Sequence, residues 1–171
     1  MKDFREMKRC GEKITALTAY DYPTARLLDE SGIDIILVGD SVGMVVLGYQ
    51  DTTDVTLDEM LHHTRAAARG VKEALLVADM PIHTYDTPVQ AAETARKFVD
   101  AGAQAVKLEG GVSRVSQIEA ITHAGIPFMA HIGMLPQSVR EQGGYRIKGR
   151  TQSEVEALLA DARAVEDAGA F

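Results

Sequence analysis

The stretch DIILVGDSVGM, residues 34–44, decides the fold. An apolar run, Ile35 to Val38, passes through Gly39 into Asp40 and Ser41. The same grammar recurs in ALLVADMP (74–81), which is apolar until Asp79, and in AVKLEGG (105–111), which ends on Glu109. A carboxylate closing a buried strand is costly unless something compensates its charge. Three of them in a row therefore need a common explanation.

Around these runs the chain alternates. The apolar segments Ile14–Thr18, Ile33–Val38, Ala74–Ala78, Ala105–Leu108 and Ile126–Ala130 read as strands. They are nearly continuous in hydrophobicity, as parallel strands buried on both faces are. Helical patterns lie between them at about 23–31, 57–69, 88–101, 113–124 and 152–168. Thr56 and Glu59 form a capping box, and Thr87 with Pro88 starts the third of these helices. Helix, glycine and strand follow one another at Gly32, Gly70, Gly102 and Gly125, and the pattern begins again at Gly169. This is an α/β chain with right-handed crossovers.

An open doubly wound sheet and a (βα)8 barrel both satisfy that pattern. No GxGxxG or GxxxxGK[ST] follows a strand, which weakens the nucleotide-binding open sheet. Carboxylates at successive strand ends favour the barrel, in which the carboxyl ends of all strands meet at one mouth. Asp40, Asp79 and Glu109 then share a pocket, where their mutual repulsion would raise their pKa values. A hard divalent cation, Mg²⁺ or Mn²⁺, relieves that repulsion with oxygen ligands alone. The competing reading is that each acid caps the next helix or pairs with a neighbouring cation. Lys107, two residues before Glu109, points to the same side of its strand and can hold a substrate carboxylate. Ser41 offers a hydroxyl beside Asp40. His131, His83, Tyr20 and Asp21 are weaker candidates for the wall, each equally explained by a structural hydrogen bond.

The bulk numbers narrow the class. The chain has 171 residues, 46% of them hydrophobic, and a net charge of −7. One domain is expected, and the acidic balance attracts neither nucleic acid nor an anionic membrane surface. No stretch approaches the roughly 20 apolar residues of a membrane span. The start, MKDFREMKRCGEK, reads as a polar leader without a secretory core. Its lone Cys10 suits a cytoplasmic protein.

The segments ITALTAYD, ILVGDSVGMVVLGY, LLVADMP, VKLEGG, HIGMLPQSV and GGYRIKGRT occur in that order. Together they resemble the ketopantoate hydroxymethyltransferases, from about Ile14 to Phe171. The resemblance implies a (βα)8 TIM barrel of the phosphoenolpyruvate/pyruvate superfamily. It implies transfer of a one-carbon unit from 5,10-methylenetetrahydrofolate to 3-methyl-2-oxobutanoate, giving 2-dehydropantoate in pantothenate synthesis. By resemblance, Asp40 and Asp79 are Mg²⁺ ligands and Glu109 is a third, direct or through water. Asp40, Ser41, Asp79 and Lys107 would contact the keto acid, and the protein would be a cytoplasmic homo-oligomer, a decamer in the family.

Such barrels run to roughly 250 residues. Only about the first five βα units and the start of a sixth are recognisable here, an incomplete single-domain barrel over residues 1–171. The family's general base is expected beyond Phe171, because Glu154 and Glu166 fall on an outer helix. Two alternatives stay open: a non-catalytic remnant acting as a binding or assembly module, and another metal-dependent keto-acid lyase of the superfamily. The basic segment 140–151 reads either as a loop meeting the folate's glutamate tail or as a solvated or subunit-contact loop.

Overall fold

A computed structural model describes residues 3–141 and 143–171. Five strands form one parallel sheet in sequence order. They are β1 Ala16–Thr18, β2 Ile35–Val38, β3 Leu75–Asp79, β4 Ala105–Glu109 and β5 Phe128–His131. Helices α2 Tyr22–Glu30, α3 Leu57–Ala68, α4 Pro88–Asp100 and α5 Val115–His123 connect them, and α6 Gln152–Asp167 follows β5. These are consecutive βα units of a (βα)8 barrel wall.

The two faces of the sheet are separated by strict alternation. Ile36, Val38, Leu76, Ala78, Val106, Leu108 and Phe128 pack outward under the helices with Met60, Phe98, Ile118 and Ile121. Ile35, Leu75, Val77 and Ala105 form a second, smaller cluster on the opposite face, joined by Leu37 and Met129. Strands β3 and β4 are buried at every residue, as their continuous hydrophobicity requires. The expectation fails for β1, which is exposed throughout because it is an edge with a single strand partner.

Local chemistry sets the element ends. Asp21 caps α2 by accepting from the Thr24 amide, and the Thr56–Glu59 capping box opens α3. Thr87 caps α4 with Pro88 in its first turn. After α2, α4 and α5 the glycine lies in the left-handed region, where a Cβ is costly. Gly70 has a different reason. A Cβ there would come 2.7 Å from the Tyr22 carbonyl oxygen and 2.8 Å from the Arg26 nitrogen. The glycine permits close packing of α3's end on α2.

Two features depart from the sequence reading. The polar leader contains a helix, α1 Phe4–Arg9, capped by Asp3. Its Phe4 packs on the inner cluster and stacks with Phe171 at 6.0 Å, so one apolar residue anchors an otherwise polar segment. The strands also extend to include Asp79, Glu109 and His131, because the ladder continues through the polar residues.

Candidate active site

Alternation carries the polar side chains to one place. Val77 and Ala105 face inward, so Asp79, Lys107 and Glu109 must do so too. The ladder pairs Asp79 with Lys107 and Glu109 with His131. Asp40 follows β2 and is drawn in by its own backbone, whose N–H donates to Asp79 Oδ2 at 3.3 Å. Gly39 makes that approach possible. A Cβ there would sit 2.9 Å from Ser41 Oγ and 3.5 Å from Asp79 Oδ2.

The structure thus brings together the residues singled out in the sequence. Asp40, Asp79, Lys107 and Glu109 are all buried. Lys107 Nζ lies 2.5 Å from Asp79 Oδ1 and 3.4 Å from His131 Nδ1. His131 Nδ1 is in turn 3.3 Å from Glu109 Oε1. Ser41 Oγ is 2.9 Å from the Tyr20 hydroxyl, and the Tyr20 carbonyl is 2.7 Å from His63 Nδ1. His131 and Tyr20 therefore touch the candidate residues, His131 through Lys107 and Glu109 and Tyr20 through Ser41. Asp21 does not, being the cap of α2. His83 is turned to solvent next to Asp86, with a backbone φ of 65°.

The reading of the sequence assigned no role to Gln137, on the short 3₁₀ turn Pro136–Ser138 after β5. It is 3% exposed, and its backbone N–H donates to Glu109 Oε2 at 3.0 Å. Its side-chain nitrogen donates to Asp40 Oδ2 at 2.8 Å and to the Met80 carbonyl at 3.0 Å. Tyr85, also buried, donates its hydroxyl to Gln137 Oε1. The signal was thin: one amide in a loop, with no periodicity to mark it.

Further out, Arg140 pairs with Asp51 and Asp54 at 2.8 and 2.6 Å. These hydrogen bonds, to Asp54 and then Asp51, raise the guanidinium's pKa above its usual value. Arg140 straps the loop after β5 to the loop after β2, so this part of the basic segment has a structural task. Gln142 lies outside the described residues. Glu154 closes a capping box on α6, and Glu166 lines a separate cleft with Phe4 and Phe171.

Three buried carboxylates face one lysine. Burial, followed by the charge of Asp79, pushes the Asp40 carboxyl up to about 7. Burial raises Asp79 as well, against the pull of Lys107. Asp79 Oδ1 is fully buried, with the Lys107 ammonium 2.5 Å away. Among the described residues no three acidic, histidine or cysteine side chains already converge as a finished metal cage. The donor set is nevertheless hard oxygen, anionic and under-compensated. That chemistry fits Mg²⁺, which takes one or two carboxylates and keeps water on its other positions. Asp40 and Asp79 would hold it, with Glu109 beside them.

Comparison with known proteins identifies the family. The family model for ketopantoate hydroxymethyltransferase matches residues 1–171. The chain is 54% identical to the 3-methyl-2-oxobutanoate hydroxymethyltransferase of Geotalea daltonii, over 99% of this chain and 64% of that protein. It is 54% identical to that of Chloroflexus aurantiacus, over 100% of this chain and 61% of that one. The chain thus spans about three fifths of the length of these relatives. Among solved structures, a phosphonopyruvate hydrolase with oxalate and Mg²⁺ superposes with TM-score 0.72 at 18% identity, covering 98% of this chain and 59% of that one. A 2,3-dimethylmalate lyase of the PEP mutase/isocitrate lyase superfamily gives 0.68 at 21%, covering 98% and 60%. The superpositions establish the fold, and the sequence match establishes more: the chain belongs to the ketopantoate hydroxymethyltransferase family.

Proposed function

We propose that this chain carries the metal and keto-acid site of an enzyme that transfers a hydroxymethyl group from 5,10-methylenetetrahydrofolate to 3-methyl-2-oxobutanoate. The products are 2-dehydropantoate and tetrahydrofolate, with one water consumed. The observation that carries the reading is the set Asp40, Asp79 and Glu109, buried on one inner face around Lys107. In this reading Asp40 and Asp79 hold Mg²⁺, and Glu109 holds it directly or through water. When bound, the cation supplies a Lewis acid for the keto oxygen, making the C3 proton removable.

The side chains do the rest. Lys107, whose ammonium lies against Asp79, would present it to the keto acid's carboxylate. Ser41, fixed by Tyr20, donates to the same ligand, whose polar end also lies against Asp40 and Asp79. His131 braces Lys107 and Glu109. The base for the C3 proton is none of these, since all are engaged in binding, and Glu154 and Glu166 are committed elsewhere. We place the enzyme in the cytoplasm as a homo-oligomer, in keeping with its family.

The test is product formation by the protein with both substrates and Mg²⁺, followed by NMR. Because none of the described residues is assigned the base, the expected result is slow formation of 2-dehydropantoate, lost on adding EDTA and in Asp79→Asn. Cleavage of a carbon–carbon bond in a keto acid, with no transfer from the folate, would overturn the reading.

A further inference from the structure

Gln137 is the only described side chain that joins Asp40 to the loop after β5, and nothing in the chemistry above uses it. Its amide has no freedom of orientation. Two acceptors, Asp40 Oδ2 and the Met80 carbonyl, stand at 2.8 and 3.0 Å from one end. That end must be the NH₂ group, since it alone can donate twice. The other end is then the oxygen, and the Tyr85 hydroxyl meets it as a donor. Turning the amide over would set its oxygen against a carboxylate and a carbonyl and leave three acceptors unpaired. The two acceptors thus set which way Gln137 faces, and Tyr85 anchors the amide at its other end by donating to Oε1. The Gln137 backbone N–H meanwhile fixes Glu109 Oε2 at 3.0 Å. One residue therefore contacts two of the three carboxylates, one following β2 and one ending β4, and a second residue anchors the first.

We propose that Gln137 is a positioning residue for the divalent-cation site and that Tyr85 is its keeper. The proposal rests on the metal reading above. The pair sets the carboxylates of Asp40 and Glu109 in the orientation a cation meets, before the cation arrives. Outer hydrogen bonds of this kind, when removed, typically cost about 10- to 100-fold in metal affinity. Gln137→Met keeps the volume and the backbone contact to Glu109 but loses both side-chain donors. Tyr85→Phe removes the hydroxyl that anchors the amide oxygen and loosens the amide's hold on Asp40. Because Tyr85 works through Gln137, its effect vanishes once Gln137 is Met, whereas independent losses of structure add.

The experiment is the affinity for Mn²⁺ alone, read by electron paramagnetic resonance of the free ion. It is run on the wild type, Gln137→Met, Tyr85→Phe and the double variant. Thermal melting of the metal-free proteins runs alongside, so that a variant that does not fold is recognised and Tyr85→Phe, the milder change, carries the test. Expected are a dissociation constant about 10-fold or more higher for Gln137→Met, a smaller rise for Tyr85→Phe, and a double variant no weaker than Gln137→Met. Single-variant affinities within about twofold of the wild type, or strictly additive losses, would overturn the proposal while leaving the metal reading intact. A wild type that holds no Mn²⁺ would overturn both.

Discussion

At the scale of single residues, the site is organised by uncompensated charge. Asp40 holds its proton up to about pH 7 in the folded chain, because it is buried and faces Asp79. In the unfolded chain it would lose that proton near pH 4. Between those values the folded state binds more protons than the unfolded one, so stability falls as pH rises. The metal-free protein is therefore expected to melt several degrees lower at pH 7.5 than at pH 5, with Asp40→Asn flattening that dependence. Calorimetric melting across this range checks it, and a profile that rises with pH contradicts it. Lys107 makes a second case. Its ammonium stands 2.5 Å from Asp79, ready to move to an incoming carboxylate. Losing a charged hydrogen bond of this kind costs about 1.5–3 kcal/mol, roughly ten- to a hundredfold in binding. Lys107→Ala should weaken 3-methyl-2-oxobutanoate by that factor in a direct titration.

At the scale of elements, loops made of polar residues hold the strand ends in place. Gly111 sits where a Cβ would fall 2.0 Å from Asp161 Oδ1, and Asp161 accepts from the Val112 N–H at 2.8 Å. This locks α6 against the start of the α5 segment. Gly111→Ala should cost about 1–3 kcal/mol by overpacking and lower Tm by several degrees. Arg140 behaves differently. Its side chain is 54% exposed, so breaking its pairs with Asp51 and Asp54 should cost no more than about 1 kcal/mol. Arg140→Ala should instead speed hydrogen exchange in residues 132–140, with the melting temperature nearly unchanged.

The same contrast explains what could be read from the sequence. Strand, helix and cap are short-range matters, so β2, β3, β4, the capping box at Thr56 and the start of α4 were legible. The gathering of Asp79, Lys107 and Glu109 followed from alternation once the strands were parallel neighbours. Gln137 and Tyr85 were not legible, because their partners lie 97 and 52 residues away in sequence and no local period marks them. Helix α1 escaped for another reason: its polar composition hides a single anchoring residue, Phe4, which packs on the inner cluster and on Phe171.

At the scale of the whole molecule, a wall of five parallel strands presents a polar end and an apolar lining. Among the described residues the β1 edge pairs on one side only, and β5 is met on its far side by the Phe171 N–H, which donates to the Phe128 carbonyl at 3.1 Å. An edge with exposed Leu17 is a template for strand addition. The 171-residue chain on its own should self-associate with rising concentration in sedimentation velocity, and Leu17→Lys should reduce that association. We propose that Asp40 and Asp79 hold a divalent cation against which the keto acid binds, a reading supported by the family membership and the buried acidic cluster. Isothermal titration tests it most directly, with Mg²⁺ first and then 3-methyl-2-oxobutanoate, on the wild type, Asp40→Asn and Asp79→Asn. The account predicts Mg²⁺ binding to the wild type, keto-acid binding only in the presence of Mg²⁺, and loss of both in the two variants. Mg²⁺ affinity unchanged in both variants, or keto-acid binding indifferent to Mg²⁺, would contradict it.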